Sequence, residues 1–88
     1  MIRKTIKMTN PTGLNAKAAA LLVQTAGKFT SKIWIEKDEK RVDAKSIMGL
    51  MSLTVPMGSE ISIEADGEDE QLAINRLIEL IESGFEER

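Results

Sequence analysis

Residues 60–84 read EISIEADGEDEQLAINRLIELIESG, and the spacing of their apolar side chains changes part-way along the stretch. In the first part Ile61, Ile63 and Ala65 alternate with polar residues, a period of two that predicts a half-buried β-strand. Gly67 ends this pattern, because glycine favours a turn. The residues that follow have a different period, so the stretch predicts a strand that leads directly into another kind of element.

The second part predicts an amphipathic helix from about Asp69 to Glu82. The acidic side chains of Asp69 and Glu70 interact favourably with the positive end of a helix, and Gly84 supplies a stop signal after the last turn. The apolar side chains recur at helical spacing and would share one face: Ala73, Ile74, Leu77, Ile78, Leu80 and Ile81.

Toward the N terminus, a strand followed by a helix is predicted a second time. Apolar and polar residues alternate over residues 2–8, before the turn-forming run TNPTG at 9–13. Helical spacing then returns in AKAAALLVQTA at 16–26. Asn15 precedes this segment as a favoured N-cap residue, and Gly27 follows it as a stop signal.

Between these two units the pattern predicts a β-hairpin. Ile33 and Ile35 alternate with polar residues, and a short strand over 41–43 follows the reversal KDEK at 37–40. Glu39 is unfavourable where a primed two-residue turn requires a positive φ. The turn is therefore either of another type or slightly strained.

Residues 45–53 read KSIMGLMSL and predict a helix of only one or two turns, with Ser46 as its N-cap. So short a helix cannot bury all of its large apolar side chains. Ile47, Met48 and Met51 either form an exposed patch, for which flexible methionine side chains are well suited, or belong to the core.

The predicted order is strand, helix, strand, strand, short helix, strand, helix, and we assign all of residues 1–88 to a single domain. All of the helices can cover one face of a four-stranded sheet, which indicates an α+β fold. The net charge is −2, with ten Lys and Arg against four Asp and Glu in residues 1–45 and two against ten in residues 46–88. With only three aromatic residues in addition, direct binding to nucleic acid is not expected.

The composition also excludes several classes of chemistry. The chain contains neither cysteine nor histidine, so it has no disulfide, no thiolate nucleophile, no Cys-based zinc site and no phosphohistidine. We expect no enzymatic activity, no cofactor and no metal site. No signal peptide or membrane-spanning stretch is apparent, so we expect a soluble cytoplasmic protein that does not bind a membrane.

Two segments are candidates for function. In GLNAK at 13–17, either the helix N-terminus and Lys17 hold an anion, or Asn15 only caps the helix and Lys17 is solvated. In the second segment, a phosphate on Ser46 would add a charge of about −1.5 to −2 at the start of a helix, where an anion is stabilised.

Three segments, GLNAKAAALLVQTAGKF, KSIMGLMSL and GEDEQLAINRLIELI, resemble in order and spacing the HPr family of the bacterial sugar phosphotransferase system. The resemblance covers essentially the whole chain. It implies an open-faced β-sandwich, in which three helices cover one face of a four-stranded antiparallel sheet.

In that family the first segment normally reads G-L-H-A-R-P, and its histidine carries a phosphoryl group between proteins. Here Asn15 stands in the position of the histidine, Lys17 in that of the arginine and Ala18 in that of the proline. An amide nitrogen is not nucleophilic enough to replace imidazole, so the resemblance implies that phosphocarrier activity is absent at this position.

The second segment resembles the regulatory serine motif of Gram-positive members, which HPr kinase/phosphorylase phosphorylates, and Ser46 matches that serine. A lost histidine beside a retained serine resembles a subgroup that acts in carbon catabolite repression as a corepressor of the transcription regulator CcpA. The partner-facing residues that this implies are Asn15, Lys17, Lys45, Ile47, Met48 and Met51.

Two alternatives remain at this stage: a phosphocarrier that uses another acceptor, and an unmodified competitor for HPr partners. The sequence is compatible with a monomer or a weak homodimer, in which the first strand exchanges between chains through the segment at 10–13.

Overall fold

The computed structural model describes residues 1–85 and contains the predicted elements in the predicted order. The strands are β1 (Ile2–Lys7), β2 (Lys32–Lys37), β3 (Lys40–Asp43) and β4 (Glu60–Asp66). The helices are α1 (Ala16–Ala26), α2 (Ile47–Met51) and α3 (Glu70–Glu82). The predicted domain over 1–88 includes residues 86–88, which lie outside the described residues. Within residues 1–85, every helix is too short or too polar to cross a membrane.

The four strands form one antiparallel sheet in the order β1-β4-β2-β3. The strand predicted most clearly from its alternation, β4, lies inside the sheet, where Ile63 is opposite Lys4 of β1 and Ile35 of β2. The hairpin strand β3 and the N-terminal strand β1 form the two edges. This arrangement confirms the α+β fold.

One face of the sheet packs against the helices and the other is polar. Alternation along β4 sends Ile61, Ile63 and Ala65 into the buried cluster that the helices complete, whereas Ser62 and Glu64 face the opposite side. The helical side chains that are fully buried in this cluster include Ala19, Leu22, Leu50, Ala73, Ile74, Leu77 and Ile81.

Of the two alternatives for the turn between β2 and β3, the structure has the slightly strained primed turn. Lys37 pairs with Lys40, and the two residues between them have positive φ, 51° at Asp38 and 68° at Glu39. These values are those of a primed two-residue turn, which matches the twist of the flanking strands. The turn therefore keeps a glutamate in a region of backbone space that non-glycine residues rarely occupy.

Two details differ from the sequence-based expectation. Strand β1 ends at Lys7, although Met8 continues its alternation and is fully buried. Gly27 ends α1 as predicted, but its φ of −65° is right-handed, so this helix end does not require a glycine. Gly84 does close α3 with a left-handed φ of 74°.

The N-terminus of α3 holds the loop that follows α1. Asp69 makes no side-chain hydrogen bond to its own helix. Its carboxylate instead accepts hydrogen bonds from the backbone N–H groups of Thr30, at 2.8 Å, and Ser31, at 3.0 Å, and from the Ser31 hydroxyl. These donors, with the Ser31 hydroxyl foremost, lower the pKa of Asp69 to about 2.

Candidate functional site

The start of α1 is held by the amide of Asn15. Its Oδ1 accepts a hydrogen bond from the N–H of Ala18 at 2.9 Å, and its Nδ2 donates to Oγ1 of Thr12 at 2.9 Å. The interpretation of Asn15 as an N-cap is therefore confirmed. Both polar atoms of the side chain have partners, although the residue is exposed. Lys17, in the first turn, is exposed as well.

The loop before α1 packs closely against the segment that follows α2. Gly13 has a φ of 63°, and a Cβ atom at this position would lie only 2.2 Å from the carbonyl oxygen of Val55. The N–H of Leu14 donates to that same oxygen at 2.9 Å. Glycine is required here for its left-handed backbone and for the close approach.

The start of α2 is held by the hydroxyl of Ser46. Its Oγ accepts a hydrogen bond from the N–H of Gly49 at 3.1 Å, and its own N–H donates to the carbonyl oxygen of Asp43 at 3.0 Å. The half-buried Ser46 is thus the predicted N-cap, with its hydroxyl oxygen next to the first amide groups of the helix.

One side of α2 is apolar and faces solvent. Ile47 is 42% exposed, Met48 82% and Met51 48%, whereas Leu50 is fully buried beneath them. We call Ile47, Met48 and Met51 the methionine patch. Of the two interpretations of these side chains, the exposed patch is the one that the structure adopts.

Lys45 has a partner that the sequence did not indicate. Its Nζ donates a hydrogen bond at 2.8 Å to the carbonyl oxygen of Phe29, in the loop after α1 that Asp69 also holds. Helix α1 packs against α2 as well. Lys45 therefore joins the predicted site to the loop.

A charged network on the polar face of the sheet was not predicted. The nearly buried Glu64 accepts from Arg3 at 2.6 Å and lies 3.4 Å from Nη2 of Arg41, whose guanidinium stacks 4.0 Å from the centre of the Trp34 ring. Arg3 also bonds Glu36 at 3.0 Å. Only the strand register brings these residues together, so spacing along one strand could not reveal the network.

The family model described as the PTS HPr component phosphorylation site matches residues 2–83. The chain belongs to the HPr family. The expected resemblance is confirmed, and the HPr architecture accounts for the open-faced sheet with three helices on one side.

Among curated relatives, the HPr-like protein Crh of Halalkalibacterium halodurans is 54% identical over 82 residues, which are 93% of this chain and 98% of that protein. A crystal structure of HPr from Thermoanaerobacter tengcongensis has 56% identity and a TM-score of 0.94, with 100% of this chain and 99% of that chain covered. The crystal structure of Bacillus subtilis Crh, described as a swapped dimer, has 46% identity and a TM-score of 0.77, covering 99% and 100%.

These similarities confirm a Crh-like member of the HPr family, as the lost histidine and retained serine suggested. The family contains phosphocarrier and regulatory proteins. Solved structures of its members include dimers of both HPr and Crh.

Proposed function

We propose that this chain is a regulatory phosphoprotein of carbon catabolite repression. HPr kinase/phosphorylase transfers a phosphoryl group from ATP to Ser46, and the modified protein acts as a corepressor of CcpA. The chain is a substrate and binding partner, it catalyses no reaction, and it works in the cytoplasm as a monomer or weak homodimer. The observation that carries the proposal is the position of Ser46 Oγ at the start of α2, beside the exposed methionine patch.

The phosphocarrier role is absent in this proposal because no side chain can accept the phosphoryl group at the start of α1. The sequence contains no histidine. The amide of Asn15 is a poor nucleophile, and both its ends are engaged in hydrogen bonds to Ala18 and Thr12.

A phosphate on Ser46 suits the local geometry. It would add a charge of about −1.5 to −2 at the amino end of a helix, where backbone N–H groups favour an anion. Oγ already accepts from the N–H of Gly49, so a phosphate oxygen has a donor nearby. The new charge would stand next to the methionine patch and favour a partner that presents both an arginine and an apolar surface.

The docking surface in this proposal comprises the starts of both helices. Helix α1 packs against α2, which supports a surface with residues from both helices. Lys17 offers a single ammonium where the family's arginine offers a bidentate guanidinium, so its contribution is purely a positive charge. The proposed partner-facing residues are Asn15, Lys17, Lys45, Ile47, Met48 and Met51.

Two parallel reactions test the proposal by intact mass and fragment mapping. One contains ATP and HPr kinase/phosphorylase, and the other contains phosphoenolpyruvate and enzyme I. We expect one phosphate, on Ser46, in the first reaction only, and binding to CcpA by the product only. Phosphate in the second reaction alone would establish a phosphocarrier, and CcpA binding without any phosphate would establish an unmodified competitor.

A further inference from the structure

The methionines that the structure describes differ widely in exposure. Met48 is 82% exposed, Met1 65%, Met57 60% and Met51 48%, whereas Met8 is fully buried. A thioether must meet an oxidant in solution to react with it. The side chain of Met48 is therefore the most accessible thioether in the methionine patch, and Met8 is protected.

We propose that Met48 is an oxidation site that controls docking at the methionine patch. Hydrogen peroxide is the oxidant: its O–O bond breaks, one oxygen forms an S–O bond with the thioether, and the other leaves as water. Sulfur loses two electrons and the peroxide gains them. The product is methionine sulfoxide, which is polar and which methionine sulfoxide reductases convert back.

Oxidation at this position changes the surface without disturbing the fold. The outer side of α2 carries three apolar side chains, so a sulfoxide on the most exposed one places a strong dipole within a small apolar area. Leu50, on the inner side of the same helix, is fully buried and supplies the core contact. The folded state therefore tolerates the modification that a docking partner would not.

The position of Met48 links this chemistry to the proposed phosphorylation. Met48 lies two residues after Ser46, within the helix of five residues that this serine caps. A partner that docks on the methionine patch to reach Ser46 would bury the Met48 side chain. This inference rests on the proposed function, and it adds a second, redox-dependent modification to the same surface.

The test compares the reduced and peroxide-treated forms of the protein, of Met48→Leu and of Met57→Leu. Leucine has nearly the same volume as methionine and cannot be oxidised. Each protein is treated with hydrogen peroxide, mapped by mass spectrometry and checked by circular dichroism. Its kcat/KM for phosphorylation by HPr kinase/phosphorylase is then divided by that of its own reduced form, so any effect of the substitution itself cancels.

We expect Met48 to oxidise well before Met8. The kcat/KM of the treated protein should fall about tenfold, which is the factor expected for the loss of roughly one apolar side-chain contact. The kcat/KM of treated Met57→Leu should fall by the same factor, and that of treated Met48→Leu should fall less than about twofold. Treatment with a methionine sulfoxide reductase should restore the kcat/KM of the oxidised wild type. An unchanged ratio in oxidised wild type, or the same loss in Met48→Leu, would overturn the inference and leave the proposed function intact. Absence of phosphorylation in the reduced protein would overturn both.

Discussion

The two helix starts at the candidate site use the same device with different chemistry. At α1 the Oδ1 of Asn15 accepts the N–H of Ala18, and at α2 the Oγ of Ser46 accepts the N–H of Gly49. Each side chain satisfies an amide group that would otherwise have no partner within its helix. The two positions are equivalent as caps.

They are not equivalent as phosphate acceptors. An amide offers no group that can be phosphorylated readily, whereas the hydroxyl of Ser46 is an ordinary target of ATP-dependent kinases. Both side chains therefore cap their helices, but only Ser46, at α2, offers a group that a kinase can phosphorylate. Asn15, in the position of the family's histidine, thus leaves the start of α1 capped.

The largest expected effect comes from giving α2 the same cap as α1. Asn is as good an N-cap as Ser, so Ser46→Asn should keep α2 folded and abolish phosphorylation by HPr kinase/phosphorylase completely. Phosphate incorporation from labelled ATP measures the loss. Ser52→Ala is the matched control, because Ser52 lies at the other end of α2 and its hydroxyl donates to the carbonyl oxygen of Gly49. Undiminished labelling of Ser46→Asn would mean that another residue is the acceptor.

The next largest expected effect is a gain of phosphoryl-accepting activity at the start of α1. Asn15→His places an imidazole at the exposed start of this helix, where the resemblance to the HPr family places a phosphoryl-accepting histidine. We expect phosphate transfer from phosphoenolpyruvate through enzyme I, at a rate lowered by the ammonium of Lys17, which cannot form the bidentate contacts of an arginine. The second variant Asn15→His/Lys17→Arg should react faster. Failure of both to accept phosphate would show that α1 has lost more than its nucleophile.

The fold could be predicted from the sequence because its periodicity reports burial directly. In β4 the alternation of Ile61 and Ile63 with polar residues predicted the strand and its core face, and the spacing of the apolar side chains after Asp69 predicted the face of α3 that is buried. The expectation that β4 is only half-buried was wrong, because Ser62 and Glu64 on its other face are buried too. The hairpin turn type could not be predicted, since only the strand pairing forces Glu39 to a positive φ. Local preference is overridden there by the register of β2 and β3.

The caps could be predicted as well, because a cap depends on residues a few positions apart. The methionine patch could not, because the sequence left open whether its side chains are exposed or belong to the core. The contacts of Lys45 and Glu64 could not be predicted from the sequence. Lys45 reaches Phe29, sixteen residues away, and Glu64 reaches Arg3, sixty-one residues away. Such partners follow from the topology of the sheet and the packing of the helices, on which spacing within a motif carries no information.

The glycines of the two regions differ, although their N-caps are equivalent. Gly13→Ala should lower the stability by about 2–4 kcal/mol, since φ is 63° and the new Cβ would meet the Val55 carbonyl oxygen at 2.2 Å. Gly49→Ala should change it by less than about 1 kcal/mol, because its Cβ would have ordinary contacts at 3.4 Å and alanine favours a helix. Urea denaturation measures both.

Gly58→Ala separates the two causes of the Gly13 effect. Its φ is 92° and a Cβ there would meet nothing within 4 Å, so only the backbone cost of about 1–2 kcal/mol applies. If Gly13→Ala were no worse than Gly58→Ala, the close approach between the loop before α1 and Val55 would not contribute to stability.

The smallest effect concerns the loop that joins the two regions, and it depends on pH. Asp69 has its pKa lowered from 3.8 to about 2 by the Ser31 hydroxyl and the N–H of Thr30, and the pKa of Glu70 is lowered chiefly by the N–H of Gly67. A lowered pKa in the folded state means that the stabilisation is complete above about pH 4 and is lost as the pH falls toward 2. Thermal unfolding followed by circular dichroism should show a Tm that falls in this range.

Asp69→Asn should make the Tm less dependent on pH in this range. Glu68→Gln, which removes an exposed carboxylate nearby, should not. If Asp69→Asn showed the same fall as the wild type, the carboxylate of Asp69 would not be what holds the loop onto which Lys45 docks.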